Sequence, residues 1–197
     1  MKHIFFLLIF VSFSATAQTV LFLGDSLTEG YGINPDYAFP ALIEKKIKDS
    51  VSKEAVVING GVSGSTTASG MKRLQWYKKR KPTHMLLALG ANDGLRGLKV
   101  DQSEKNLRNI IEAAQKEGIK VIMAGMQMPT NYGGDYRKKF EAIYPRLARD
   151  YKLKLVPFLL EGVGGHSKLN LPDGIHPNPE GHKIIAETVW KVLKEEL

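Results

Sequence analysis

Thr19-Val20-Leu21-Phe22-Leu23-Gly24-Asp25-Ser26-Leu27-Thr28-Glu29-Gly30-Tyr31-Gly32 is the stretch that decides the fold. A β-branched and aromatic run of this kind reads as a buried strand. It stops at a glycine, where the chain turns sharply and lifts Ser26 to the strand's C-terminal edge. Ligands and chemistry sit at that edge in open α/β sheets. Taken by itself, Ser26 is either a nucleophile or a turn residue.

The same arrangement returns further along the chain. Ala55-Val56-Val57-Ile58 reads as a second buried strand and runs into Asn59-Gly60-Gly61-Val62-Ser63-Gly64. Met85-Leu86-Leu87-Ala88-Leu89 is a third, closed by Gly90-Ala91-Asn92-Asp93-Gly94. Val121 to Ala124 makes a fourth, and Lys154 to Pro157 a short fifth at a sheet edge, where Pro157 does little harm. Between them lie helical patterns. Residues 38–48 place Phe39, Leu42, Ile43 and Ile47 on one face, and residues 66–79 form a helix stopped by Pro82. Asp101 or Ser103 is expected to cap a helix whose core face is Leu107, Ile110, Ile111 and Ala114 and which Gly118 ends. After a loop from Gln127 to Asp135, one helix is expected over residues 136–151. The last begins with Asn178 as N-cap and Pro179 at the first helical position, and presents Ile184, Ile185, Val189 and Trp190 or Val192 as its apolar face. Strands alternating with helices specify a five-stranded parallel sheet covered on both faces, a three-layer α/β/α fold.

The 197 residues, 43% hydrophobic and 24% charged, suit a single domain. Its first 17 residues do not belong to the core. Lys2 and His3, the apolar run Ile4 to Val11 and the small residues Ala15-Thr16-Ala17 have the three parts of a secretory signal. That apolar run is shorter than the roughly 20 residues a membrane-spanning helix needs. Cleavage after Ala17 is expected, leaving a domain of residues 18–197 in the periplasm or outside the cell. With no cysteine there is no disulfide framework and no thiolate chemistry. The formal net charge is +8, and much of the excess lies in Lys72, Arg73, Lys78, Lys79, Arg80 and Lys81. A solvated helix face with cations near its C-terminus is one reading of that run. Weak attraction to an anionic membrane surface is the other. No aromatic interleaving or helix-turn-helix pattern points to nucleic acid.

Three strand ends carry glycine beside a small polar group: Ser26, Ser63-Gly64 and Asn92. In a parallel sheet all three emerge on one edge. A serine hydroxyl needs a base within hydrogen-bond reach, itself oriented by a third group. Beyond residue 17 the histidines are His84, His166, His176 and His182. His84 precedes a strand at the wrong edge, His182 lies inside the last helix, and His166 sits in a loop without a carboxylate nearby in sequence. His176 follows Asp173 by three residues on a turn tightened by Gly174, and Pro177 biases it to an extended backbone. That spacing lets the carboxylate hold one ring nitrogen while the other faces the serine. Acyl transfer also needs an oxyanion hole, for which the N–H groups of Ser26 and Gly64 and the amide of Asn92 are suitable.

Gly24-Asp25-Ser26-Leu27, Gly64, Gly90-Ala91-Asn92-Asp93 and Asp173-Gly174-Ile175-His176 together resemble, in order and spacing, the four sequence blocks of the SGNH (GDSL-type) hydrolases. Asn92-Asp93-Gly94-Leu95-Arg96-Gly97 and Pro129-Thr130-Asn131-Tyr132-Gly133 are similar to the bacterial periplasmic acyl-CoA thioesterase, lysophospholipase and arylesterase subfamily. The resemblance implies Ser26 as nucleophile, His176 as base and then acid, Asp173 as its orienting carboxylate, and Ser26, Gly64 and Asn92 as oxyanion donors. It implies the strand order 2-1-3-4-5 and no metal or organic cofactor. The chain departs from the subfamily in its glycine-rich run Glu161 to Ser167, which borders the expected acyl pocket.

The expected activity is hydrolysis of small acyl esters, thioesters or lipids through an acyl-serine intermediate, by a monomer. Phe39, Met126, Met128, Tyr132 and Tyr136 offer surface for an acyl chain, with Met128 and Tyr132 the candidate substrate contacts, although such residues beside strands also build cores. Two alternatives stand. A carbohydrate O-acetyl esterase of the same fold would prefer acetylated sugar to longer acyl esters. A non-catalytic flavodoxin-like module would bind phosphate or nucleotide in the Gly24 to Gly32 loop, leave Ser26 inert to a fluorophosphonate, and give Asp173 and His176 no role.

Overall fold

The computed structural model describes residues 18–197; the expected signal segment and its cleavage site at Ala17 lie outside the described residues. Five parallel strands, β1 (Thr19–Gly24), β2 (Val56–Gly61), β3 (His84–Ala88), β4 (Lys120–Ala124) and β5 (Lys154–Val156), form one sheet in the order β2-β1-β3-β4-β5. β1 is central, and Val20 to Leu23 are fully buried because both sheet faces are covered. The register aligns Gly24 with Gly61 on one side and with Ala88 on the other, so the loops that follow these strands leave the sheet side by side.

The helices are α1 (Ser26–Glu29), α2 (Phe39–Ser50), α3 (Thr67–Tyr77), α4 (Ala91–Leu95), α5 (Val100–Lys116), α6 (Gly134–Glu141), α7 (Ile143–Asp150) and α8 (Pro179–Leu193). α2 packs with α8 and α3 with α5, one pair on each face, as right-handed crossovers require. Phe22 meets Phe39 edge to face at 5.6 Å beneath α2. His182 joins the two helices of that layer: its Nδ1 accepts the Phe39 backbone N–H at 3.1 Å. Burial holds the His182 imidazole down to about 4, so the ring stays neutral.

Four details differ from the sequence reading, each for a physical reason. β2 is an edge strand rather than a buried one, and Val56 at its start is 40% exposed. α5 begins at Val100 with Lys99 at the cap position and no side-chain cap bond, so neither Asp101 nor Ser103 caps it. Ser103 is claimed instead by the buried Asp93 carboxylate, to which its hydroxyl donates at 2.9 Å. The single helix expected over residues 136–151 is two, separated at Ala142. Pro145 has no N–H to offer the Glu141 carbonyl, and its ring crowds that turn. Arg73, expected on the solvated cationic face, turns inward and donates to the carbonyls of Gly24, at 2.7 Å, and of Gly60.

Candidate active site

β1 ends at Gly24 because no side chain fits there: a Cβ would stand 1.9 Å from the Thr28 hydroxyl. The chain then enters the single turn α1. Asp25 caps it, its Oδ1 accepting the Leu27 N–H at 3.0 Å, and Gly30 ends it in the left-handed region at φ 84°. Ser26 is thereby held at the sheet's C-terminal edge, 9% exposed. Asp25 braces the turn and does not reach the imidazole site as an orienting group; burial pushes its carboxyl up to about 6, and Oδ2 has no hydrogen-bond partner among the described residues.

The opposing half comes from the segment before α8. Gly174, at φ 76°, folds Leu171 to His176 into a tight turn closed by the Leu171 N–H donating to the His176 carbonyl at 2.7 Å. Asp173 Oδ1 accepts the N–H groups of Ile175 and His176 at 3.0 Å each, and Oδ2 lies 2.8 Å from His176 Nδ1. These bonds, the imidazole's first, hold the Asp173 carboxyl down to about 2. An ionised carboxylate only accepts, so Nδ1 carries the ring proton and Nε2 is left as an acceptor. Ser26 Oγ lies 2.9 Å from that Nε2, across 150 residues of sequence.

Gly64 and Asn92 face the same opening as Ser26 and His176. Gly64 adopts φ 74°, and Arg96 fixes its peptide by donating to its carbonyl at 2.9 Å. Glu29, at the end of α1, accepts the Ser63 N–H at 2.7 Å and also the Ser63 hydroxyl, which ties the β2 loop to the serine turn. Asn92 rides on α4, whose position is fixed from below: buried Asp93 accepts the Thr67 N–H at 2.9 Å and hydroxyl at 2.5 Å besides the Ser103 hydroxyl. The glycine at 90 is required, since a Cβ would meet the Tyr144 hydroxyl at 2.2 Å.

These groups open into a cavity of about 740 Å³. Its walls are largely apolar, with Leu95, Met126, Met128, Phe158, Leu160 and Ile175 among them, and the glycine-rich run contributes Gly164 and Gly165. Met128 is therefore at the cavity, as expected, and Phe39 is in the core. Tyr132 is not a lining residue: its hydroxyl donates to the Leu95 carbonyl at 3.1 Å, so it supports the wall rather than forming it. Tyr136 does not line the cavity either, and its hydroxyl donates to the Leu98 carbonyl at 3.0 Å. His84 opens β3 at the far edge, bonded to the Glu196 carbonyl at 2.9 Å, and His166 lies exposed in the loop before α8. Among the described residues no three His, Cys, Asp or Glu side chains stand together as metal ligands.

Sequence reading missed Tyr31, whose ring lies over His176 with centroids 4.5 Å apart and planes 40° apart. The signal was present in Gly30-Tyr31-Gly32: two glycines with positive φ, 84° and 75°, swing an exposed aromatic back across the site. Phe158 and Leu160 were missed too, because nothing in their spacing marks them as cavity walls.

A serine paired with an imidazole and a carboxylate at the C-terminal edge of a parallel sheet, beside an apolar cavity, defines a serine ester hydrolase. Residues 22–184 match the GDSL-like lipase/acylhydrolase family, and the chain belongs to that family. Esterase TesA of Pseudomonas aeruginosa is 38% identical over 188 residues, 95% of this chain and 93% of its own length. Thioesterase 1/protease 1/lysophospholipase L1 of Escherichia coli strain K12 is 37% identical over 192 residues, 96% of this chain and 90% of its own. The crystal structure of TesA superposes with a TM-score of 0.87 at 39% identity, covering 91% of this chain and 100% of that one. The strand order is the one expected of the family.

Proposed function

We propose that Ser26 is the nucleophile, His176 the general base and then acid, Asp173 its orienting carboxylate, and the N–H groups of Ser26 and Gly64 with the Asn92 amide the oxyanion donors. The observation that carries this reading is the continuous run Asp173 Oδ2, His176 Nδ1, His176 Nε2, Ser26 Oγ, at 2.8 and 2.9 Å. As Ser26 Oγ attacks the acyl carbonyl, Nε2 takes its proton and the resulting imidazolium faces a carboxylate that is already ionised. The carbonyl oxygen gains charge toward Gly64 and Asn92. Collapse of the tetrahedral intermediate breaks the ester C–O or thioester C–S bond, with the His176 proton going to the leaving oxygen or sulfur. Water then repeats the sequence on the acyl-serine, yielding the free acid and Ser26.

The substrate in this reading is a small acyl ester, acyl thioester or lysophospholipid with a medium or long acyl chain. The size and apolar walls of the cavity support it over an acetylated carbohydrate, which would leave those walls unfilled. Ser26, His176, Asp173, Gly64 and Asn92 all belong to one chain, so this reading needs no second copy to complete the site. The segment Lys2 to Ala17 supports export with Gln18 as the first residue of the mature protein.

A fluorophosphonate should label Ser26, as read by peptide mass spectrometry, and His176→Ala should both block labelling and lower ester turnover by about 100 to 10,000-fold. A series of p-nitrophenyl esters should give rising kcat/KM from acetyl toward medium acyl chains. Parent-rate hydrolysis by folded His176→Ala protein would sink the catalytic assignment; a preference for acetyl over all longer chains would sink the substrate assignment alone.

A further inference from the structure

The outer face of α3 and of the 3-10 turn that follows it, Lys78–Arg80, repeats at helical spacing: Lys72, Gln75, Trp76, Lys79 and Arg80 are all exposed. Trp76 is 69% exposed, more than any other large apolar side chain among the described residues, and Lys79 Nζ lies 5.3 Å from its ring centroid. A single exposed aromatic is ordinary; what sets Trp76 apart is its place among cations, with Lys79 against its ring. The neighbouring chain adds apolar surface of the same kind. Val51 ends α2 and Val56 opens β2, 41% and 40% exposed, and both belong to the same end of the layered fold as the C-terminus of α3. Acidic groups share that end, Asp49 near the end of α2 and Glu195 and Glu196 after α8 among them. Glu117 is paired with Lys78 at 3.0 Å, and Glu54 lies in the turn before β2. Lys72, Lys79, Arg80 and Lys81 form no ion pair among the described residues, so their charge is uncompensated.

We infer that this end of the molecule is a docking surface for an anionic lipid bilayer, with Trp76 entering the head-group layer and Lys72, Lys79 and Arg80 meeting the lipid phosphates. The composition selects that occupant. Tryptophan is favoured at the water–lipid boundary, and clustered Lys and Arg beside it are drawn to an anionic leaflet. A nucleic acid would want the cations along a groove with aromatics placed to stack on bases, whereas here a single indole projects from a convex helix. The placement also fixes an orientation. Ser26 and the cavity lie beyond the C-terminal ends of the strands, whereas Trp76 to Lys81 precede β3 and stand beyond the N-terminal ends. A bilayer held at α3 therefore leaves the cavity mouth facing water, and the docked enzyme draws its ester from solution.

The test uses the chain from Gln18 onward and vesicles of phosphatidylcholine with or without phosphatidylglycerol, read by sedimentation and by tryptophan emission. Trp76→Phe identifies which part of the emission belongs to Trp76 and which to Trp190. The expected result is binding to the phosphatidylglycerol vesicles at low salt with a blue shift from Trp76, weakening as salt screens the charges. Lys79→Glu with Arg80→Glu, and separately Trp76→Ser, should weaken binding at least tenfold while hydrolysis of a soluble short-chain ester stays at the parent rate. Ser26→Ala should bind as the parent does, so the docking result stands or falls apart from the catalytic roles. Vesicle-bound parent should also hydrolyse the soluble ester as fast as free enzyme. No binding at low salt, binding that the variants leave unchanged, equal binding to phosphatidylcholine alone, or binding to DNA without binding to vesicles would each overturn the inference.

Discussion

Asn92 and Asp173 show how much the function of one side chain depends on what holds it. Asn92 touches the cavity, but its position is set by Asp93 one residue later, locked by Thr67 and Ser103. In its proposed role as oxyanion donor, Asn92 acts in the transition state, so Asn92→Ala should leave the melting temperature within a degree or two and lower kcat by about 100 to 1,000-fold with little change in KM. An equal fall in affinity for substrate would contradict that role. Asp173 is held to about 2, chiefly by its bond to His176 and then by the N–H groups of Ile175 and His176. It stays ionised wherever the enzyme is folded above that pH. Its contribution to stability is full above the ordinary carboxylate value and fades as pH falls toward 2. The meeting of Ser26, His176 and Asp173, with Gly64 and Asn92 at the same opening, was legible because each sits in a strand-end loop or a turn spelled by glycine and proline. Tyr132 was misread as a substrate contact, since its sequence neighbours do not show that its hydroxyl is spent on the Leu95 carbonyl.

At the scale of elements, the close approach of α1 to the end of β2 is what brings the serine turn and the Gly64 loop together. A Cβ at Gly61 would fall 2.1 Å from the Glu29 nitrogen and 2.7 Å from the Thr28 carbonyl carbon, both backbone atoms that cannot swing aside. Gly61→Ala should lower stability by about 1–3 kcal/mol, the usual cost of overpacking, and slow acylation of Ser26 by displacing α1. Unfolding in urea and the rate of fluorophosphonate labelling check the two effects; unchanged labelling in a destabilised variant would show that α1 had not moved. The elements themselves were largely readable, since apolar runs ending in glycine and helices ending at Gly118 or starting at Asn178 obey local rules. What was not readable was set by tertiary demand. Ser103 left its expected capping role for Asp93, Arg73 left the solvent for two strand-end carbonyls, and the burial of β2 depended on its edge position. Pro145 was in plain view, and its effect on a helix already begun at Gly134 was underestimated.

Across the whole molecule, two buried titrating groups pull stability in opposite directions. Asp25 is raised by burial to about 6, so the folded chain holds its proton where the unfolded chain has lost it, and stability falls as pH rises from about 4 to 6. His182 is lowered by burial to about 4, so the unfolded chain binds the extra proton, and stability rises over nearly the same interval. At ~1.4 kcal/mol per pH unit each amounts to about 3 kcal/mol, and the two nearly cancel. Asp25→Asn should therefore uncover a rise in stability between pH 4 and 6.5, and His182→Gln should uncover a fall over the same interval. Urea midpoints at several pH values measure both; parallel curves for parent and variants would rule the compensation out.

The two halves of the reacting group enter the chain 150 residues apart, Ser26 at the first strand and His176 just before the last helix. With the proposed roles, a ribosome that has delivered only the first three strands has made a serine with no base to activate it, and a chain ended before His176 should not cleave an ester. Turnover is in that sense an all-or-nothing signal of finished folding: a rise in hydrolysis during refolding counts complete molecules and is blind to every intermediate. The same separation means that a chain cut between β5 and the Asp173 turn should be silent in either piece and regain activity only when the pieces are mixed and reassemble.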